Sequence, residues 1–233
     1  MSDNSYSGFM NKEEREKTIL YLIITYMGAL AGCYGVNMFN RYVMMSLPLA
    51  GRMVCMVTMY WVIALIPIII MLISGTSLQT IGFEKEKIGL QIVIGIVSGG
   101  IIASAIFLVP YFMGYGEIVD NGMRYKALWQ FGFDYFYKVI SIGAVEEIIF
   151  RGVIYQQLKK LFGNDWGAIL ISSVLFGFFH IFTGYVIQIL MTAIIGFIFC
   201  MVRHKMKRCS LLSLILMHGT YDFFLVLYPS LLF

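Results

Sequence analysis

The stretch Ile88-Gly-Leu-Gln-Ile-Val-Ile-Gly-Ile-Val-Ser-Gly-Gly-Ile-Ile-Ala-Ser-Ala-Ile-Phe-Leu-Val-Pro-Tyr-Phe-Met113 contains no charged side chain. A helix rises 1.5 Å per residue, so about 20 apolar residues cross a bilayer core, and this run predicts a membrane-spanning helix. A strand is not an alternative, because an open edge cannot be satisfied in lipid. Working outward, the same reading predicts spans over 18–39, 53–73, 88–113, 136–158, 165–183, 185–202 and 209–228. That makes seven. The segments 40–52, with Pro48, and 114–133 leave room for an eighth span or for interfacial structure. Composition agrees: of 233 residues, 60% are hydrophobic and 13% charged, with a mean hydropathy of +0.82. A soluble domain carries about a quarter charged residues, so that class is excluded. The expected fold is an all-α polytopic membrane helix bundle. Residues 1–17 form its N-terminal tail, 18–233 a single transmembrane domain and 136–228 the core that bears its motifs.

The net charge of +4 does not indicate a nucleic-acid partner, because the cations lie in short loops beside the spans. They set topology. Lys12, Arg15, Lys17, Lys85, Lys87, Lys159, Lys160, Arg203, Lys205, Lys207 and Arg208 fall on one side, and Arg41, Arg52, Arg124, Lys126 and Lys138 on the other. The richer side is expected to be cytoplasmic, with the N-terminus inside a bacterial plasma membrane and, for seven spans, the C-terminus outside. Cys33, Cys55, Cys200 and Cys209 have neither CxxC nor Cys/His ligand spacing and read as small buried apolar groups. Gly28-Ala-Leu-Ala-Gly32 and Gly95-Ile-Val-Ser-Gly99 read as sites of close helix approach. Leu30-Ala-Gly-Cys33 resembles a lipoprotein cleavage box, but polytopic sequence follows it, so it is read as part of the first span.

The anomaly is Val145-Glu-Glu-Ile-Ile-Phe-Arg-Gly152, which puts two acids and a guanidinium in an apolar helix. With Asp222 in the last span there are four such groups. Each costs about 2.5–3.5 kcal/mol at the centre of an inserted helix. Groups this costly persist where they face a bundle interior or a wet cavity and carry function. Glu147 and Arg151 are spaced i,i+4 and should pair, which leaves Glu146 over. His180 and His218 lie in later spans. Counted along the helices at 1.5 Å per residue, Glu146, His180 and Asp222 lie ~20 Å from the Lys159, Asp165 and Cys209 ends and His218 ~14 Å, within one slab of the membrane.

Glu, His, His and Asp at one depth suit hydrolysis. A carboxylate can take a proton from water, one imidazole can hold that water, and another can donate to an oxyanion. Alternatively, Glu146, His180 and His218 could ligate a divalent ion such as Zn²⁺. Either scheme implies a membrane-associated peptide or protein as substrate. Other protease designs lack their motifs: there is no His-Glu-x-x-His, no Gly-x-Ser-x-Gly, and no second intramembrane Asp to form a dyad.

Glu146-Glu147-x-x-x-Arg151, Phe176-x-x-x-His180 and His218-x-x-x-Asp222, in this order on successive helices, resemble the signatures of the CPBP family, the CAAX protease and bacteriocin-processing group also called Abi. The resemblance implies an intramembrane endopeptidase similar to type II CAAX prenyl endopeptidases. It implies Glu146 as the water-activating base with His180 as its partner, His218 and Asp222 as the oxyanion pair, and Glu147 and Arg151 in support. One departure stands out. The family often has Asn where this chain has Asp222, and an ionised Asp cannot donate a hydrogen bond. Asp222 must then be protonated, orient His218 through its other ring nitrogen, or bind a metal. The expected site opens toward the cytoplasm. The competing readings are a non-catalytic bacteriocin self-immunity or membrane scaffold protein, and a small proton-linked transporter.

Overall fold

The computed structural model describes residues 10–183 and 185–233, and among them there is no strand. Seven helical segments run in chain order: α1 Lys12–Tyr42, α2 Leu49–Ile73, α3 Ile88–Pro110, α4 spanning 128–162, α5 Asp165–Phe179, α6 Val186–Lys205 and α7 Leu211–Leu232. All except α4 are parts of stretches long and apolar enough to cross a membrane, and α4 misses by composition because it carries the charges. The eighth span is not found among the described residues. Segment 40–52 holds one short turn, Met44–Ser46, before Pro48 opens α2, and 114–133 holds the short helix Gly116–Val119 and the start of α4. Of the expected tail, residues 1–9 lie outside the described residues. Lys12–Lys17 is already helical, started by Asn11, whose side chain accepts the Glu14 N–H at 2.8 Å.

Large apolar side chains cover the outside of the bundle, with Leu72 68% and Val186 82% exposed. That is the surface a lipid-facing bundle presents. Inside, Ala29, Ile63, Phe150, Phe176 and Phe179 join α1, α2, α4 and α5, while Val139, Phe199, Leu211 and Leu214 join α4, α6 and α7. The small-residue patterns are packing sites, as expected. A Cβ on Gly32 would stand 2.8 Å from the Ile63 backbone, and one on Gly99 would run into the Met217 carbonyl oxygen. Backbone cannot yield as a side-chain tip can. Gly99→Leu is therefore expected to force α3 and α7 apart and cost at least about 1–3 kcal/mol, read as a lower unfolding temperature in detergent.

Contacts between loops place three of them together. Arg208 approaches Glu86 at 4.0 Å, His204 approaches Asp165 at 3.9 Å, and Arg203 donates to Ile81 O at 3.4 Å. Loops 74–87, 159–165 and 203–210 thus share one end of the bundle.

Candidate active site

Helix α4 is not a regular helix. Wider π turns at Lys138–Gly143 and Ile148–Ile154 bracket the single α turn Ala144–Glu147 that carries both acids. Such turns concentrate at functional sites, where the extra residue re-aims side chains. Adjacent helical residues point about 100° apart, so Glu146 and Glu147 address different neighbours. Both are buried, at 1% and 0% exposure.

Glu147 faces α7. A Cβ on Gly219 would come 2.6 Å from Val139 Cα, and one on Gly143 would come 2.7 Å from Ile215 O, so α4 and α7 touch backbone to backbone here. That contact delivers His218, whose Nδ1 lies 2.8 Å from Glu147 Oε1. The same oxygen accepts from Arg151 Nη1 at 2.9 Å, which is the i,i+4 pair expected from the sequence. Arg151 Nη2 donates to Gly196 O at 3.1 Å, and its guanidinium lies over Phe176 with the carbon 4.3 Å from the ring centroid. The cation is thereby fixed by α4, α5 and α6 together. Arg203 adds a support that the sequence did not announce: its Nη1 donates 3.0 Å to Arg151 O, a carbonyl within the second π turn.

Glu146 faces α2 and α5. Its Oε1 accepts the phenolic hydrogen of Tyr60, from the 3₁₀ turn Tyr60–Ala64 inside α2. Its Oε2 lies 4.0 Å from His180 Nε2 and 3.8 Å from His218 Nε2, and has no hydrogen-bond partner among the described residues. Both rings point the same nitrogen at it. His180 Nδ1 lies 3.0 Å from Phe176 O, a group that can only accept, so Nδ1 carries a proton and the neutral ring keeps its lone pair on Nε2. His218 Nδ1 likewise meets the Glu147 carboxylate. Asp222 stands at the edge, 20% exposed, with Oδ2 3.9 Å from His218 Nε2.

All six side chains singled out in the sequence therefore meet in one cluster drawn from three helices. Two expectations need correction. Glu147, not Asp222, takes the other ring nitrogen of His218, so that route for Asp222 is closed by an occupied contact. The direction of access differs as well. A cavity of about 190 Å³ lined by Cys33, Asn37, Asn40, Tyr60, His180 and Phe182 reaches the site, and it lies toward the C-terminal ends of α1 and α5. That is opposite the Lys- and Arg-rich end, where the site was expected to open. A second cavity, of about 220 Å³, touches Arg151, Lys159, Arg203 and His204 at the basic end. Tyr60 was missed, because one Tyr in an apolar run carries no signal of its own. All four cysteines are free; Cys200 and Cys209 are buried, while Cys33 and Cys55 are partly exposed.

The donor set suits zinc in kind and not in spacing. Tetrahedral ligands held at about 2.0–2.1 Å stand about 3.4 Å from one another, less than the 3.8 and 4.0 Å found here. Among the described residues no three His, Cys, Asp or Glu side chains are arranged to hold an ion.

No curated protein and no solved structure matches the chain. A family model does, described as type II CAAX prenyl endopeptidase Rce1-like, over residues 128–224. That segment begins with α4 and ends within α7, so it takes in both acids, both imidazoles, Arg151 and Asp222. Residues 128–224 of this multi-pass membrane protein are thus similar to the CAAX protease family.

Proposed function

We propose that the chain is an intramembrane endopeptidase that cleaves a membrane-associated peptide or protein with water activated by Glu146 and His180. The observation that carries this reading is Oε2 of Glu146, which has no hydrogen-bond partner among the described residues and faces two imidazole nitrogens. Separations of 3.8 and 4.0 Å exceed a hydrogen bond. They suit groups that share a water about 2.8 Å from each. Glu146 Oε2 takes one proton of that water and His180 Nε2 accepts the other in a hydrogen bond, which aims the oxygen at the peptide carbonyl. The tetrahedral oxyanion then needs a donor. A doubly protonated His218 supplies Nε2–H, its charge balanced by Glu147 at Nδ1 and by Asp222 beside Nε2, and this gives Asp222 a role that does not require it to donate. Collapse breaks the C–N bond, and the proton held by Glu146 leaves with the amine.

With the basic end inside, the N-terminus is cytoplasmic and the substrate reaches the cavity beside Tyr60 from the opposite side. No step in this scheme passes through a metal. A strong chelator is expected to leave cleavage by the purified protein unchanged; loss of activity restored by Zn²⁺ would replace water activation by Glu146 and His180 with the metal scheme. The substrate is found by retaining membrane peptides on the Glu146→Gln variant and identifying them by mass spectrometry. Prenylated and unprenylated peptides of one sequence, compared on that variant, decide whether the lipid is recognised.

A further inference from the structure

We infer that Tyr60 is a positioning residue of this active site, holding Glu146 so that one defined carboxylate oxygen acts as the base. The inference rests on the hydrolytic reading above and adds to it a group from α2, outside the segment that the family model matches. The two oxygens of Glu146 are not equivalent. Oε1 is tied to the Tyr60 hydroxyl, and Oε2 faces His180 and His218 with no hydrogen bond of its own among the described residues. A carboxylate free to rotate would present either oxygen to the water. The phenol removes that choice.

Tyr60 is well held for this task. It opens the 3₁₀ turn whose Ile63 and Ala64 are buried, at 1% and 0% exposure, and Ile63 packs its backbone against Gly32 of α1. The ring also lines the cavity that reaches His180. Helix α2 is registered to α4 by a second bond that does not involve Tyr60, from Ser141 Oγ to Val57 O at 3.1 Å. Removing the hydroxyl alone should therefore leave the helices in place.

A purely structural bond and a positioning bond differ in what they do to the rate. A donor to a carboxylate favours its ionised form, so its loss changes the pH at which the base works. In purified protein in lipid vesicles, Tyr60→Phe is expected to lower kcat by about 10–100-fold with KM unchanged, and to move the acid limb of the pH–rate profile to higher pH. Incorporation of 3-fluorotyrosine at position 60 keeps the ring and strengthens the donor, and it should move that limb to lower pH. This second variant decides the matter if Tyr60→Phe does not fold. Wild-type rate and an unmoved acid limb in both variants would overturn the inference. Glu146→Gln separates the two levels: if it is inactive while Tyr60→Phe is unaltered, only the role of Tyr60 falls. If it cleaves normally, Glu146 is not the base and both fall.

Discussion

Glu146→Gln is expected to abolish peptide cleavage, with a rate loss of at least about 10²–10⁴-fold, the contribution typical of a general base. The amide keeps the shape of the side chain, and its carbonyl oxygen can still accept from Tyr60, so the α2–α4 contact survives. What disappears is the ability of the atom facing His180 and His218 to take a proton from water. The measurement is cleavage of a membrane peptide followed by mass spectrometry, with the unfolding temperature as a check on folding. Turnover within a few-fold of wild type would remove Glu146 from the chemistry. A non-catalytic protein predicts something different: its protective or binding activity would survive this substitution and His180→Ala alike.

Arg151→Met is expected to give the largest loss of stability of any single substitution in the bundle. Arg151 is 1% exposed and Glu147 0% exposed, so removing the guanidinium leaves a buried carboxylate without its permanent counter-charge. Breaking a buried pair from one side costs about 3–5 kcal/mol, which for a chain of this length is an unfolding temperature lower by on the order of 10 °C. His218 would remain on Glu147 Oε1, yet the bond from Arg151 to Gly196 O and the packing of the guanidinium over Phe176 would go. The double variant Glu147→Gln with Arg151→Met removes both charges and should recover much of the loss. An Arg151→Met protein as stable as wild type would mean that the pair does not hold these helices together.

The spans and the site residues were legible for one physical reason: charge is so costly in lipid that each intramembrane Glu, Arg, His or Asp announces itself. The Glu147–Arg151 pair followed from helix geometry alone. What stayed hidden depends on three-dimensional register. Tyr60 belongs to the site only because Gly32 lets α2 settle against α1, and an aromatic residue among apolar ones looks the same whether it faces lipid or a carboxylate. The π turns of α4 left no trace in the composition, and the span was read as 136–158 where the helix runs over 128–162. Partner choice at His218 was likewise open. Asp222 is its i,i+4 neighbour, but the backbone contact at Gly143 and Gly219 brings Glu147 closer. The direction of access was misjudged because depth along a helix does not say where cavities form between helices.

The account stands on acids and imidazoles of three helices acting together on one water. Its most direct test uses the peptide retained by Glu146→Gln, presented to the wild-type protein in lipid vesicles in water enriched in ¹⁸O. The account predicts cleavage at one bond, with a single ¹⁸O atom in the new carboxylate. Retention of that peptide by the wild-type protein, intact and without ¹⁸O, would contradict it.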